Sequence, residues 1–319
     1  MKEIGGYIEL DNYNLPMLHE GAIELNCGRN CLAYLFKTRG IKKLKIPMLI
    51  CSSIISVCER EGVEKNFYHV GIDFKPTQDL TLEEDEWLYI VNFYGQLTNQ
   101  EIKRYVEKFS RVIIDQANGY FETPILGVDT LYTCRKWFGV ADGAFLYTDS
   151  ILAEEIPKDE SFDRMRFLLG RFERTASEFY GEYNENNKYF MNEPIKQMSK
   201  LTRNLLHGID YSFVEHRRRE NFEHLHKMFK NINQLTLVSG TFMYPLLLEN
   251  GGTVRKKLQL EKIYIPTLWP TVFEVASPDD LEYQMAMNIL PLPIDQRYDL
   301  EDMDYMIKKI KEIGGYNNV

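Results

Sequence analysis

From Cys31 to Asp149, short apolar runs alternate with amphipathic stretches, and the apolar period changes from run to run. Runs rich in β-branched and aromatic residues predict strands at Lys43–Ile46, Phe67–Ile72, Trp87–Asn92, Val112–Asp115, Thr130–Thr133 and Ala144–Tyr147. Between them, apolar residues at helical spacing predict helices at Asn30–Thr38, Ser52–Glu61 and Asn99–Phe109. Strand and helix in turn imply a mostly parallel sheet covered on both faces, a three-layer α/β sandwich.

After Asp149 the alternation stops. A charged helical segment, Phe162–Tyr180, leads through the Asn-rich stretch Gly181–Lys188 to a stripe of Leu201, Leu205, Ile209, Phe213, Phe222, Leu225 and Phe229. The stripe predicts one long helix from about Ser199 to Lys230, about 48 Å at a rise of about 1.5 Å per residue, enough to bridge two domains. Strand-like Thr236–Ser239 and Pro245–Leu248 follow, with a helix near Val254–Leu260, an apolar segment Ile263–Trp269 and helices near Pro278–Ile289 and Leu300–Ile313. Together they predict a small α+β domain. The expected division is a large domain over 1–198 and a small one over 199–319, without internal repeats.

Composition narrows the class. The chain has 319 residues, 44% of them hydrophobic and 13% aromatic, enough for one large core and a smaller one. No stretch approaches the roughly 20 apolar residues of a membrane span, and the N-terminal stretch has neither an apolar core nor a small-residue cleavage site. The expectation is a cytoplasmic protein with no membrane partner. A net charge of -9 argues against a general nucleic-acid binder. The one basic run, Arg217-Arg218-Arg219, lies inside a helical pattern and reads as a solvated or subunit-facing surface. Cys27, Cys31, Cys51, Cys58 and Cys134 form no CxxC pair and read as free thiols. His224 and His226 flank one leucine on a helix and so face different directions, and the other histidines lack ligand spacing, so no metal is expected. No GxGxxG follows the first strand, which argues against a dinucleotide site.

Three segments carry chemistry where strands give way to loops, the edge at which open α/β sheets bind ligands. Val112-Ile113-Ile114-Asp115 is an apolar strand ending in a carboxylate, which in isolation reads as a turn former or helix cap. The segment Tyr132 to Phe145 places Lys136 just beyond a strand, beside Arg135, Trp137 and Phe138 and a Gly139/Gly143 loop. Aromatic walls and a neighbouring cation would depress a lysine's pKa and make it a nucleophile, although an ordinary surface lysine beside a tight turn fits the same letters. Leu25 to Leu35 puts Gly28, Arg29 and Asn30 at a helix start, where free N–H groups and the helix dipole favour a phosphate, or where such residues simply cap the helix.

In this order the three segments resemble the fold-type-I enzymes that use pyridoxal phosphate (PLP), and among them the nucleotide-sugar aminotransferases of the DegT type. Asn92-Phe93-Tyr94-Gly95-Gln96 looks like that family's His/Asn-x-Tyr-Gly-Gln stretch, and Asp115-Gln116-Ala117-Asn118 is similar to its Asp-x-Ala-Gln/His motif. Arg135-Lys136 followed by Asp142-Gly143-Ala144 stands for the family's lysine, glycine pair and strand. Ile265-Pro266 to Trp269-Pro270 and Leu290 to Pro293 match the endings of its small domain. The departures are a short chain, Asn118 for Gln or His, Ala144 for a second glycine, and Cys51 about where many members stack an aromatic ring on the cofactor. Thr133 also lies nearer the lysine than the usual phosphate-binding serine.

The resemblance implies the following roles. Lys136 is the covalent anchor of pyridoxal 5'-phosphate and the acid and base of the proton shuttle. Asp115 faces the pyridine nitrogen. A carboxylate at about 4 Å in an effective dielectric near 20 contributes roughly 4 kcal/mol, about three pKa units, which keeps the ring protonated. Gly28, Arg29 and Asn30 hold the phosphate with Thr133, Asn118 reaches the ring hydroxyl, and Cys51 lies on the ring's face. The implied activity moves an amino group from an amino acid such as glutamate to a keto group of a nucleotide-linked sugar in surface-polysaccharide synthesis, in a homodimer with shared sites. A PLP-dependent lyase, dehydratase or acyl-transfer enzyme, or a non-catalytic dimeric module, would use the same fold.

Overall fold

The alternating runs build one seven-stranded sheet, seen in a computed structural model that describes residues 4–316. In chain order the large layer contains β1 (Ile23–Leu25), α1 (Gly28–Arg39), β2 (Lys43–Pro47), α2 (Ser52–Glu61), β3 (Glu64–Tyr68), β4 (Glu86–Val91), α3 (Asn99–Phe109), β5 (Val112–Asp115), β6 (Asp129–Thr133) and β7 (Ala144–Tyr147). The sheet order is β1-β7-β6-β5-β4-β2-β3, with β7 antiparallel to both its neighbours and every other pairing parallel. All strands but β7 therefore run the same way, and their carboxyl ends share one edge. Strand β5 is buried at all positions, as its unbroken apolar run requires in a sheet covered on both faces. Helix α1 is buried from Asn30 to Phe36, while α3 buries only Ile102 and opens with a Thr98/Glu101 capping box. Gly40 and Gly62 close α1 and α2 at φ 65° and 66°, left-handed positions that glycine takes without strain.

The rest of the chain departs from the reading in places. The Phe162–Tyr180 segment is helical only in a short 3-10 turn and α4 (Arg166–Glu173), whereas the Asn-rich stretch read as a connection is helix α5 (Tyr180–Tyr189). The single helix expected from Ser199 to Lys230 is two: α6 (Lys200–Leu206) and α7 (Tyr211–Phe229). The chain turns at Gly208, and Asp210 restarts it by accepting the N–H of Phe213. Thr236–Ser239 is not a strand. The small sheet pairs β8 (Met243–Leu247) with β9 (Ile289–Pro293), and α8 (Gly251–Leu260), α9 (Val272–Val275), α10 (Leu281–Asn288) and α11 (Leu300–Gly314) surround it.

Among the described residues two large apolar cores form, beside a small cluster of Ala141, Phe167 and Phe179. The larger takes in the seven strands and α1 and reaches Leu206, Tyr211 and Val214, together with Val272, Met285 and Ile289 from the C-terminal part. The smaller joins Phe222, Leu225 and Phe229 of α7 to β8, β9, α8 and α11. Helix α7 thus belongs to one core at its start and to the other at its end. The basic run on it also needs correcting: Arg217 and Arg219 pair with Glu220 and Glu215 near the surface, but Arg218 is buried. The five cysteines are free thiols. No helix among the described residues is long and apolar enough to cross a membrane.

Candidate active site at the carboxyl edge of the sheet

Asp115 closes β5 with 7% of its surface exposed. One carboxylate oxygen accepts the Tyr89 hydroxyl at 2.7 Å and the other the N–H of Ala117 at 2.7 Å. The β4–β5 register explains the first bond. Val91 lies opposite Asp115 and Tyr89 opposite Ile113, so Tyr89 sits diagonal to the carboxylate on the same face. Burial, reinforced by the charge of Asp115, pushes the Tyr89 hydroxyl well above its ordinary range, so it remains a donor. Among the described residues no cation meets Asp115.

Lys136 lies in the connection from β6 to β7. Trp137 and Phe138 donate their backbone N–H groups to the Cys134 carbonyl, forming a tight turn. The side chains of Trp137 and Phe138 enter the core, and the indole N–H reaches the Ala117 carbonyl at 3.0 Å. The lysine turn is thereby tied to the residue whose N–H holds Asp115. Lys136 itself is exposed, and its Nζ stands over the Phe242 ring, 5.8 Å from the centroid. It forms no hydrogen bond or ion pair with the described residues. The aromatic walls and cation expected to surround the lysine are thus not arranged as read: Trp137 and Phe138 turn inward, and Arg135 turns towards Asn187 and the Phe190 ring.

At the start of α1, Cys27 supplies no side-chain cap, so the helix end is not self-capped. Arg29 is half-buried. Its Nη1 donates to the Asn187 carbonyl at 3.4 Å, while its buried Nε has no partner. Asn30 is fully committed elsewhere: its amide donates to Asn26 and to the Pro194 carbonyl and accepts from Arg60. Its backbone N–H is used as well, donating to the Cys27 carbonyl at 3.1 Å, so Asn30 is not placed to hold a phosphate as the sequence suggested. Arg135 adds a second guanidinium that carries no carboxylate partner among the described residues, and burial lowers its pKa.

The remaining residues frame the edge. Thr133 ends β6, half-buried, with no side-chain hydrogen bond among the described residues. Cys51 begins α2, its Sγ 2.6 Å from the Ser53 hydroxyl. Asn118 is buried, and its side-chain oxygen accepts the N–H of Tyr94 at 3.3 Å, which joins the Asp115 segment to the Asn92–Gln96 turn. Tyr94 adopts φ 55° there, and a Cβ on Gly95 would come within 3.2 Å of the Asn118 carbonyl. Gly28, Asp115, Thr133 and Lys136 therefore follow the ends of β1, β5 and β6 on one edge. Sequence reasoning missed Tyr89 and the Trp137–Ala117 bond, and it read Arg135 as a neighbour of the lysine and not as a guanidinium turned towards Asn187. The aromatic at Tyr89 inside an apolar strand was the only signal for either omission.

No protein-family profile and no curated protein sequence matches the chain. Solved structures do. An aminotransferase of Brucella abortus described as DegT DnrJ EryC1 StrS superposes with a TM-score of 0.63 at 16% identity, covering 94% of this chain and 87% of that one. A Bacillus subtilis protein solved with bound cofactor PMP gives 0.66 at 14%, covering 92% and 73%. Helicobacter pylori PseC, an aminotransferase involved in the biosynthesis of pseudoaminic acid, gives 0.64 at 12%, covering 92% and 86%. Superposition over nine-tenths of the chain at TM-scores of 0.63 to 0.66 establishes that this protein has the fold of the DegT-type sugar aminotransferases.

Proposed function

We propose that the protein is a PLP-dependent aminotransferase that moves an amino group from an amino acid, glutamate by analogy, to a keto group of a nucleotide-linked sugar used in surface-polysaccharide synthesis. The observation that carries this reading is that a buried carboxylate without a cation and a lysine without an anion, among the described residues, follow the carboxyl ends of neighbouring strands β5 and β6. The residues fit the cofactor. Asp115 can face a protonated pyridine nitrogen, Lys136 is free to attach, and the uncapped start of α1 with the orphaned Arg29 Nε suits a phosphate. When bound, pyridoxal phosphate supplies the electron sink that weakens a bond at the amino acid's α-carbon.

The chain's own residues do the rest. Tyr89 and Ala117 hold the Asp115 carboxylate in one orientation, so its charge keeps a proton on the ring nitrogen. Lys136, its amine free, would take the proton from the amino donor's α-carbon at Nζ and hand it to the cofactor carbon that keeps the amino group, the transfer that distinguishes transamination from a lyase reaction. Thr133 and the N–H groups of Gly28 and Arg29 would hold the cofactor's phosphate, and Asn118 and Cys51 would stand beside its ring. The similar fold of several sugar aminotransferases supports the substrate class.

Borohydride reduction of the PLP-loaded protein followed by peptide mapping tests the reading. The pyridoxyl group is expected on Lys136, and its recovery on another lysine would refute the assignment. Conversion of the cofactor to its amine form by glutamate separates transamination from a lyase or acyl-transfer reaction on the same fold.

A further inference from the structure

Arg218 is one of the largest fully buried side chains, at 2% exposure, although it comes from a run of three arginines on a surface helix. Its guanidinium has no carboxylate bound to it among the described residues. Nε donates to the Gln296 side chain at 2.8 Å, Nη1 to the carbonyls of Thr241 at 2.9 Å and Phe242 at 3.3 Å, and Nη2 to the Trp137 carbonyl at 3.3 Å. The guanidinium plane lies over the Trp137 ring, 4.5 Å from its centroid. Gln296 donates to the same Trp137 carbonyl at 2.9 Å. Burial lowers the arginine's pKa to about 10, partly offset by the nearby Asp295, so the site holds a charge at a real desolvation cost.

A buried cation that makes no ion pair invites a reason for its retention, and its partners give one. Every donor it uses goes either to the residue after Lys136 or to the segments that carry Phe242, the ring nearest the Lys136 amine, and Gln296. We propose that Arg218 is a positioning residue that sets the Lys136 turn: it clamps the Trp137 carbonyl and indole face to the Thr241–Phe242 backbone and the Gln296 side chain, and so fixes where Nζ points relative to Asp115. The path is continuous, from Gln296 and Arg218 to the Trp137 carbonyl, and from the Trp137 indole to the Ala117 carbonyl beside Asp115. Lysine cannot replace this arginine, because an ammonium has neither the planar face to stack on indole nor the fork to reach three carbonyls at once.

The inference rests on the role proposed for Lys136, and the experiment separates the two. In the cofactor-free protein, hydrogen exchange of the Trp137 and Phe138 amides reports how firmly the turn is held. In the PLP-loaded protein, the rate of borohydride-trapped labelling of Lys136 reports where its amine points. Arg218→Lys and Gln296→Leu are compared with Arg217→Gln, a control on the same helix that touches none of these groups. Arg218→Lys is expected to speed exchange at both amides and slow labelling about tenfold, and to lower kcat far more than it raises KM, the pattern of a misplaced group. Gln296→Leu is expected to do so to a smaller degree, and it decides the matter if Arg218→Lys does not fold. Unchanged exchange and labelling in the folded variants would overturn the clamp. Absence of labelling on Lys136 in the parent protein would overturn the proposed function instead, while the exchange comparison still judges Arg218.

Discussion

At the scale of single residues the site is a set of polar groups whose partners are supplied by the strand register. Asp115→Asn keeps the shape and loses the charge, so cofactor binding through the phosphate is expected to persist while turnover falls sharply. Steady-state kinetics beside cofactor titration would show it, and near-normal turnover would reduce Asp115 to a structural cap. Tyr89→Phe removes one of the two donors to that carboxylate inside the core and is expected to cost about 1–2 kcal/mol in urea unfolding. His19 answers to pH. Its Nε2 lies 2.9 Å from the Tyr120 carbonyl, so it carries the proton there, while Nδ1 accepts from the Tyr147 hydroxyl at 3.2 Å. Burial pushes its pKa down to about 4, against the opposing pull of the Tyr120 carbonyl. The unfolded chain therefore takes up this proton first as pH falls. Stability present above about 6.5 is lost between 6.5 and 4, by roughly 3 kcal/mol for this group alone. Unfolding free energies of the parent and His19→Gln across that range should diverge in slope, and parallel curves would remove the histidine from the account.

At the scale of elements, the connection from β6 to β7 is held from both sides. The Gly143 carbonyl accepts the N–H of Cys134 at 3.0 Å, and Gly143 donates to Asn26 at 2.6 Å. Its φ is 112°, and a Cβ there would meet Thr202 at 3.0 Å and Cys134 at 3.1 Å. Gly143→Ala should accordingly destabilise by about 2–3 kcal/mol in a denaturant titration, and a change within about 0.5 kcal/mol would contradict the backbone argument. Elements with strong local signals were legible in the sequence: β5, β7, α2 and α3 lie where their runs begin and end. Strand β1 was not, because three residues carry no period and its partner β7 is distant in sequence. The edge strand β3 was read too late in the chain, since its polar residues hide the alternation. The break at Gly208 was passed over because the apolar stripe continues across it, although Asp210 three residues before Phe213 was a readable cap. The candidates Lys136 and Asp115 came from family likeness alone, and the structure puts them after the carboxyl ends of neighbouring strands β6 and β5. Arg218 was not legible, because a run of like charges normally means solvent and only packing shows which member turns inward.

At the scale of the whole molecule, apolar surface is left over. Ile4, Tyr7 and Ile8 are over nine-tenths exposed, as is Phe172, and Leu169 and Tyr180 are more than half exposed. The apolar stripe of α7 offers little to a partner, since Phe222, Leu225 and Phe229 are buried within one chain, and so are Phe179 and Phe190 on either side of α5. The homodimer is expected instead on the N-terminal stretch and on α4, together with exposed Tyr180 where α5 begins. An obligate interface of more than roughly 2,000 Å² is expected there, and light scattering should give about twice the chain mass of 37.6 kDa. A monomer at micromolar concentration that still turned over substrate would exclude a shared site.

The lone antiparallel strand has a consequence for the order in which the molecule assembles. Strands β6 and β7 are close in sequence and join as a hairpin, so the turn bearing Lys136 can form from local chain at little loop-closure cost. Strand β1 pairs with the outer side of β7, Ile23 against Leu146, and must return across nearly the whole sheet to do so. The start of α1, where a phosphate would sit, is therefore put in place by one of the least local contacts in the fold. A folding chain would own its reactive amine before it owned the seat for the anion, so cofactor capture would trail the formation of secondary structure and mark the moment the sheet closes.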